Sequence, residues 1–219
     1  MRVQRPDDRA QHTVRRLEAF SDIVMGFCLA QLGLNLVLPQ SYADAASVWP
    51  NVGLFVASFA LISLLWWLHH RTFSTYFVLN TPTILMNFAM LCALVLTLYF
   101  FESVVHVSAA GGNAAVYFNF FVFAFACVYA LLGAMLVVGL RLRYSELLPV
   151  DIRWGIGQLS SIAIAVLFFV FVGTYASLRV HGLSMGYLGI ATGVMAFLVR
   201  RVILPLWLRR AVPDPVVPS

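Results

Sequence analysis

The chain has 219 residues, 62% of them hydrophobic and only 11% charged, with a mean hydropathy of +0.90. A soluble domain carries about 45–50% apolar and about 25% charged residues, so the composition argues against a water-soluble globule and against a disordered chain. All 14 residues counted as Lys or Arg are Arg, and the net charge is +5. They sit at the ends of apolar runs and form no stripe along a soluble face, which argues against nucleic acid as a partner.

Crossing a bilayer takes roughly 20 apolar residues per helix. Six apolar runs of that order follow one another, at residues 20–39, 52–68, 82–101, 116–140, 156–178 and 185–208. The predicted fold is therefore all-α: a polytopic membrane protein with six transmembrane helices. Pro39 and Pro50 bracket the first loop, Pro82 suits the first turn of the third helix, and Gly111-Gly112-Asn113 and residues 179–182 read as loops. Residues 1–15 are an N-terminal tail, 16–210 the six-helix domain, and 211–219 a Pro-rich disordered C-terminal tail.

Arginine placement sets the orientation. Arg2, Arg5, Arg9, Arg15, Arg16, Arg71, Arg141, Arg143, Arg153, Arg200, Arg201, Arg209 and Arg210 fall on one side of this arrangement, and Arg179 alone on the other. Both termini are predicted to be cytoplasmic, in a cell membrane crossed many times. The basic start, the apolar stretch and Ala43-Asp44-Ala45 also resemble a cleaved leader. Asp22, Gln31 and Asn35 inside that stretch, and its length, argue for a retained span.

The first span is the most polar one. At 100° per residue Phe20, Val24, Phe27, Gln31, Leu34 and Leu38 fall within about 60° of one another, with Asn35 at the edge. Ordinary helix packing and a pore wall both account for such a stripe. Asp22 lies about 140° from Phe27, on a separate face. A carboxylate in a membrane needs a partner. The second span ends at the same depth in Trp66-Trp67-Leu68-His69-His70-Arg71, so an Asp–His or Asp–Arg contact beside an indole N–H is expected. That knot is structural; a proton-sensing role for His69 or His70 is the alternative.

The remaining chemistry-bearing residues are scattered. His106 and His181 map to the other membrane side from His69 and His70, and His12 lies in the tail, which argues against a bis-histidine haem. Cys28, Cys92 and Cys127 lie singly in apolar runs and read as small buried hydrophobes, with no metal site and no disulfide framework. Gly182-x-x-x-Gly186 and Gly189-x-x-x-Gly193 permit close helix approach. The aromatics between Tyr117 and Tyr129 read as packing or lipid-facing groups.

Arg16-Leu17-Glu18-Ala19-Phe20-Ser21-Asp22 resembles the R-x-x-x-F-S-D signature that opens the first helix of the transmembrane protein 175 family, lysosomal potassium channels and their bacterial relatives. Trp66-Trp67-Leu68-His69-His70-Arg71-Thr72-Phe73 looks like that family's W-x-x-H-H-R-x-F pattern, and Ser58-Phe59 like a further pair. The resemblance to bacterial members implies six spans per chain, a homotetramer, and a central cation pathway lined by helix one. It implies an apolar constriction at Phe27, Gln31 and Leu34, with Leu38 further along the wall. It also implies a packing and hydrogen-bond network behind the pore, made by Arg16, Phe20, Ser21, Asp22, Trp66, His69 and His70. Phe27 stands where the family has a branched aliphatic, Gln31 where an apolar residue is common, Ala30 for a common Thr, and Asn35 for a common Glu.

The function expected from these features is a tetrameric, potassium-permeable cation channel of the bacterial plasma membrane, with no catalytic chemistry, no cofactor and no metal beyond the transient ion. Its partners are monovalent cations, the lipid bilayer and further copies of itself. A small transporter or proton-permeable carrier would show a midplane ionisable residue or inverted repeats, and neither is visible. A membrane-embedded enzyme would need a cluster of His, Asp, Glu or Ser on facing helices, which the outer halves of the spans lack.

Overall fold

The computed structural model describes residues 6–34 and 45–177 of the chain. They form five helices: α1 (Pro6–Leu34), α2 (Ala45–Tyr76), α3 (Thr81–Ala109), α4 (Ala115–Leu142) and α5 (Pro149–Ser177). The expected sixth span at 185–208, the C-terminal tail, Asn35, Leu38, Arg179 and His181 lie outside the described residues. Four helical stretches among the described residues are long and apolar enough to cross a membrane: Ala10–Leu34, Thr81–Val107, Ala115–Leu142 and Pro149–Thr174. The second apolar run, 52–68, lies within α2.

Three boundaries differ from the sequence expectation. α1 begins at Pro6, so residues 6–15, expected as a tail, are helical and continuous with the first span. Pro6 followed by Asp7 and Asp8 is a good helix start, since proline needs no N–H there and acidic groups suit the positive end of the helix dipole. Pro50 lies inside α2, near its start, and not in a loop; a proline early in a helix sacrifices few backbone bonds. α5 begins at Pro149, seven residues before its apolar run, so Arg153 is helical and not in a loop.

The turns follow local chemistry. α3 ends with Gly111 at φ +73°, a left-handed conformation that glycine adopts without a Cβ clash. The Gly112 N–H then donates to the Val107 carbonyl at 2.9 Å, which closes the helix end in a Schellman arrangement. Between α4 and α5 the Arg143 carbonyl accepts from the Glu146 N–H at 2.9 Å, and the Arg143 Nε donates to Glu146 Oε2 at 3.1 Å.

The chain divides into two compact units, residues 1–81 and 82–219. In the first, α1 packs on α2 through Ser21, Met25, Cys28 and Leu32, all buried and spaced three or four apart, as one helix face requires. α2 contributes Ile62, Leu65, Leu68, His69, Thr72 and Phe73 to the buried set. In the second unit α4 and α5 are a closely packed antiparallel pair. Phe125 meets Phe169 edge-on at 4.8 Å, and glycines on both helices let large side chains sit against backbone. Cys28 is buried as expected, but Cys92 and Cys127 are exposed on the surface of the single chain. They point away from the packed faces, toward lipid or further protein.

Candidate functional site

The first unit holds the motif residues. Ser21 is fully buried, and its hydroxyl donates back to the Leu17 carbonyl at 2.9 Å, which satisfies it within α1. One position on, Asp22 Oδ1 accepts from the Trp66 indole Nε1 at 2.8 Å, a bond between α1 and α2. One turn earlier, Glu18 Oε1 lies 2.9 Å from His70 Nδ1. Trp66 and His70 are themselves one turn apart on α2, and their rings stack at 5.6 Å and 18°. Two carboxylates on α1 therefore meet two stacked rings on α2, rung above rung. Gly33 extends the same antiparallel register, because a Cβ there would stand 3.9 Å from the Phe55 ring.

The sequence led us to expect a histidine or arginine against Asp22. The histidine belongs to Glu18 instead, and the indole takes Asp22. The reason is the spacing: residues 18 and 22 repeat the four-residue step of 66 and 70 on antiparallel helices, so each carboxylate has its own rung. His69, next in sequence, turns the other way. It is fully buried, and its ring lies 4.5 Å from that of Phe73, which stacks on Phe77 at 4.0 Å. Arg16 is exposed and makes no hydrogen bond or ion pair with another described residue, and Phe20 is 47% exposed.

The energetic weight differs between the rungs. The Trp66–Asp22 hydrogen bond, with Trp66 38% exposed, contributes about 0.5–1.5 kcal/mol. The Glu18–His70 pair is worth no more than about 1 kcal/mol, because 43% of the His70 side chain is exposed and solvent screens it.

The opposite side of α1 carries the stripe. Phe27 is 73% exposed, Leu34 is 79% exposed, and Gln31 between them is exposed as well. Ile23, 59% exposed, joins them, so α1 presents an apolar face interrupted by a carboxamide that the other described residues leave uncovered. Among the described residues no group of three or more His, Cys, Asp or Glu is placed to hold a metal.

A chain of long apolar helices, four stretches of which among the described residues can cross a bilayer, is a polytopic helical membrane protein. Residues 16–97 match the family described as endosomal/lysosomal potassium channel TMEM175, a segment shorter than half of the chain. The matched segment contains α1 from Arg16 onward, α2 and most of α3, and so both rungs and the exposed stripe. The chain is similar to a protein named potassium channel from Marivirga tractuosa, at 31% identity over 38% of this chain and 34% of that one. It is 36% identical to a potassium channel of Chamaesiphon minutus over 29% of this chain and 36% of that one. It is 28% identical to a potassium channel of Streptomyces collinus over 35% of this chain and 40% of that one. The matched segments thus span well under half of the length of these curated relatives. No solved structure matches the chain.

Proposed function

We propose that the protein is the subunit of a potassium-permeable cation channel, a homotetramer in which four copies of α1 surround the pathway. The observation that carries this reading is the division of α1 into two faces. One is pinned to α2 by Trp66 and His70, and the other leaves Phe27, Gln31 and Leu34 exposed. An apolar face with a single carboxamide suits a narrow lining better than it suits lipid alone, since a lipid-facing Gln has no partner. The three relatives named potassium channel support the choice of ion.

In this reading Phe27 forms an apolar throat and Gln31, about 6 Å along the axis, a neighbouring ring of carboxamides. Leu34, and Leu38 beyond it, continue the wall. A throat of phenyl groups sheds water and blocks ions unless it widens, while carbonyl oxygens beside it replace part of an ion's hydration shell. Arg16, Phe20, Ser21, Asp22, Trp66, His69 and His70 hold α1 in place from behind. Both termini face the cytoplasm and the protein sits in a bacterial plasma membrane, a placement supported by the arginine distribution and by the bacterial sources of the relatives. No catalytic step is involved.

Purified protein in liposomes, with potassium, sodium and proton gradients applied in turn, tests the reading. Passive potassium flux that persists without any second gradient supports a channel. Flux that requires a co-transported or exchanged ion would replace it with a carrier.

A further inference from the structure

The hairpin of α4 and α5 has a register fixed by three glycines. A Cβ on Gly173 would lie 3.1 Å from the Phe123 ring, one on Gly133 2.9 Å from Ile162, and one on Gly155 2.9 Å from Leu140. Extended by one residue at the connected end, this register sets Arg141 level with Trp154 and Leu142 level with Arg153. α4 has 28 residues, or about 42 Å of helix. That length matches a bilayer with its headgroup layers, about 40–45 Å, so the helix end at Arg141 falls among headgroups.

The side chains at this level suit that layer. Arg141 is exposed in the last turn of α4. Arg143 is matched by Glu146 at 3.1 Å, and Asp151 lies in the first turn of α5. Among the three arginines here, Arg141 is thus farthest from a carboxylate in sequence. Leu142 is 60% exposed and Tyr144 59% exposed beside it, an arrangement that water disfavours and that acyl chains and headgroups accommodate.

We propose that this end of the hairpin holds the headgroup of an anionic phospholipid. Its phosphate lies against the Arg141 guanidinium, with Arg153 at the same level, Tyr144 and Trp154 at the headgroup boundary, and an acyl chain along Leu142. A guanidinium suits the task because its planar fork donates two parallel hydrogen bonds to phosphate oxygens. The ligand is a lipid and not free phosphate, because the exposed Leu142 beside the charge is covered only by an acyl chain. This inference is independent of ion conduction.

Native mass spectrometry of the full chain in mild detergent tests it, with dioleoyl phosphatidylglycerol or dioleoyl phosphatidylcholine titrated in. The protein is expected to retain phosphatidylglycerol in preference to phosphatidylcholine. Arg141→Gln should weaken phosphatidylglycerol retention about fivefold and leave phosphatidylcholine unchanged. Arg15→Gln, an equal loss of charge at an exposed residue of α1, should change neither. Millimolar inorganic phosphate should not displace the lipid. Equal retention of the two lipids, an equal effect of Arg15→Gln, or displacement by phosphate would each overturn the proposal.

Discussion

Trp66 and Asp22 stand 44 residues apart in the chain, and the indole N–H of the one donates to the carboxylate of the other at 2.8 Å. This bond ties α1 to α2 on the side of α1 away from the exposed Phe27. Trp66 is 38% exposed, so removing either partner leaves the other open in part to solvent, and the cost is the lost hydrogen bond more than a buried, unpaired group.

Asp22→Ala and Trp66→Phe are therefore expected to lower stability by about 0.5–1.5 kcal/mol each. Trp66→Phe keeps a ring against His70 and removes only the donor. Thermal unfolding in detergent reads the loss, together with the fraction of assembled protein by size exclusion. The assembled remainder of either variant should keep the wild-type ion preference. An Asp22→Ala protein that assembles normally and conducts a different ion would reverse the structural role given to this residue.

The neighbouring rung should matter less. Glu18→Gln and His70→Ala are expected to cost at most about 1 kcal/mol, since the pair is partly solvated. The ranking of the two rungs, read from thermal midpoints under one set of conditions, is the sensitive quantity. A larger loss at Glu18 than at Asp22 would contradict it.

The α4–α5 hairpin gives a third expectation. Gly155→Leu puts a branched side chain where a Cβ alone would already meet Leu140 at 2.9 Å, and Gly133→Val does the same against Ile162. Overpacking of this kind typically costs about 1–3 kcal/mol. Both variants should unfold at lower temperature, and Gly155→Leu paired with Leu140→Ala should recover part of the loss. No recovery in the pair would mean that the two residues do not face one another.

Much of this was legible in the sequence because lipid leaves few choices. The described parts of the first five apolar runs fall within helices, Pro82 stands at a helix start, and Gly111 follows the end of α3. The polar first turns of α1 went unread as helix because hydropathy marks where a helix is apolar and not where it begins. Pro6-Asp7-Asp8 was the signal available for that start. The division of α1 into two faces followed from its wheel. The partner of each carboxylate did not, because periodicity on one helix carries no information on the register of its neighbour. The matching four-residue steps of Glu18–Asp22 and Trp66–His70 were the clue. The exposure of Cys92 and Cys127 was hidden for a related reason: a run that is apolar on every side does not say which side meets protein.

Assembly has its own test. With the native cysteines replaced, Phe27→Cys and Leu34→Cys are expected to crosslink subunits up to a tetramer under mild oxidation. Ser21→Cys, at a fully buried position against its own chain, should not. A ladder that stops at monomer in lipid for all three variants would remove the homotetramer and the central pathway together.

The most direct test of the α1 pathway is ion flux through Phe27→Ala and Gln31→Leu in liposomes, compared with wild type at matched tetramer content. Phe27→Ala should raise potassium flux and weaken discrimination against sodium, because the apolar throat is widened. Gln31→Leu should change conductance or ion preference, because the carboxamide beside Phe27 on the exposed face is lost. If both variants carry the same ions at the same rate as wild type, the exposed face of α1 does not line the pathway.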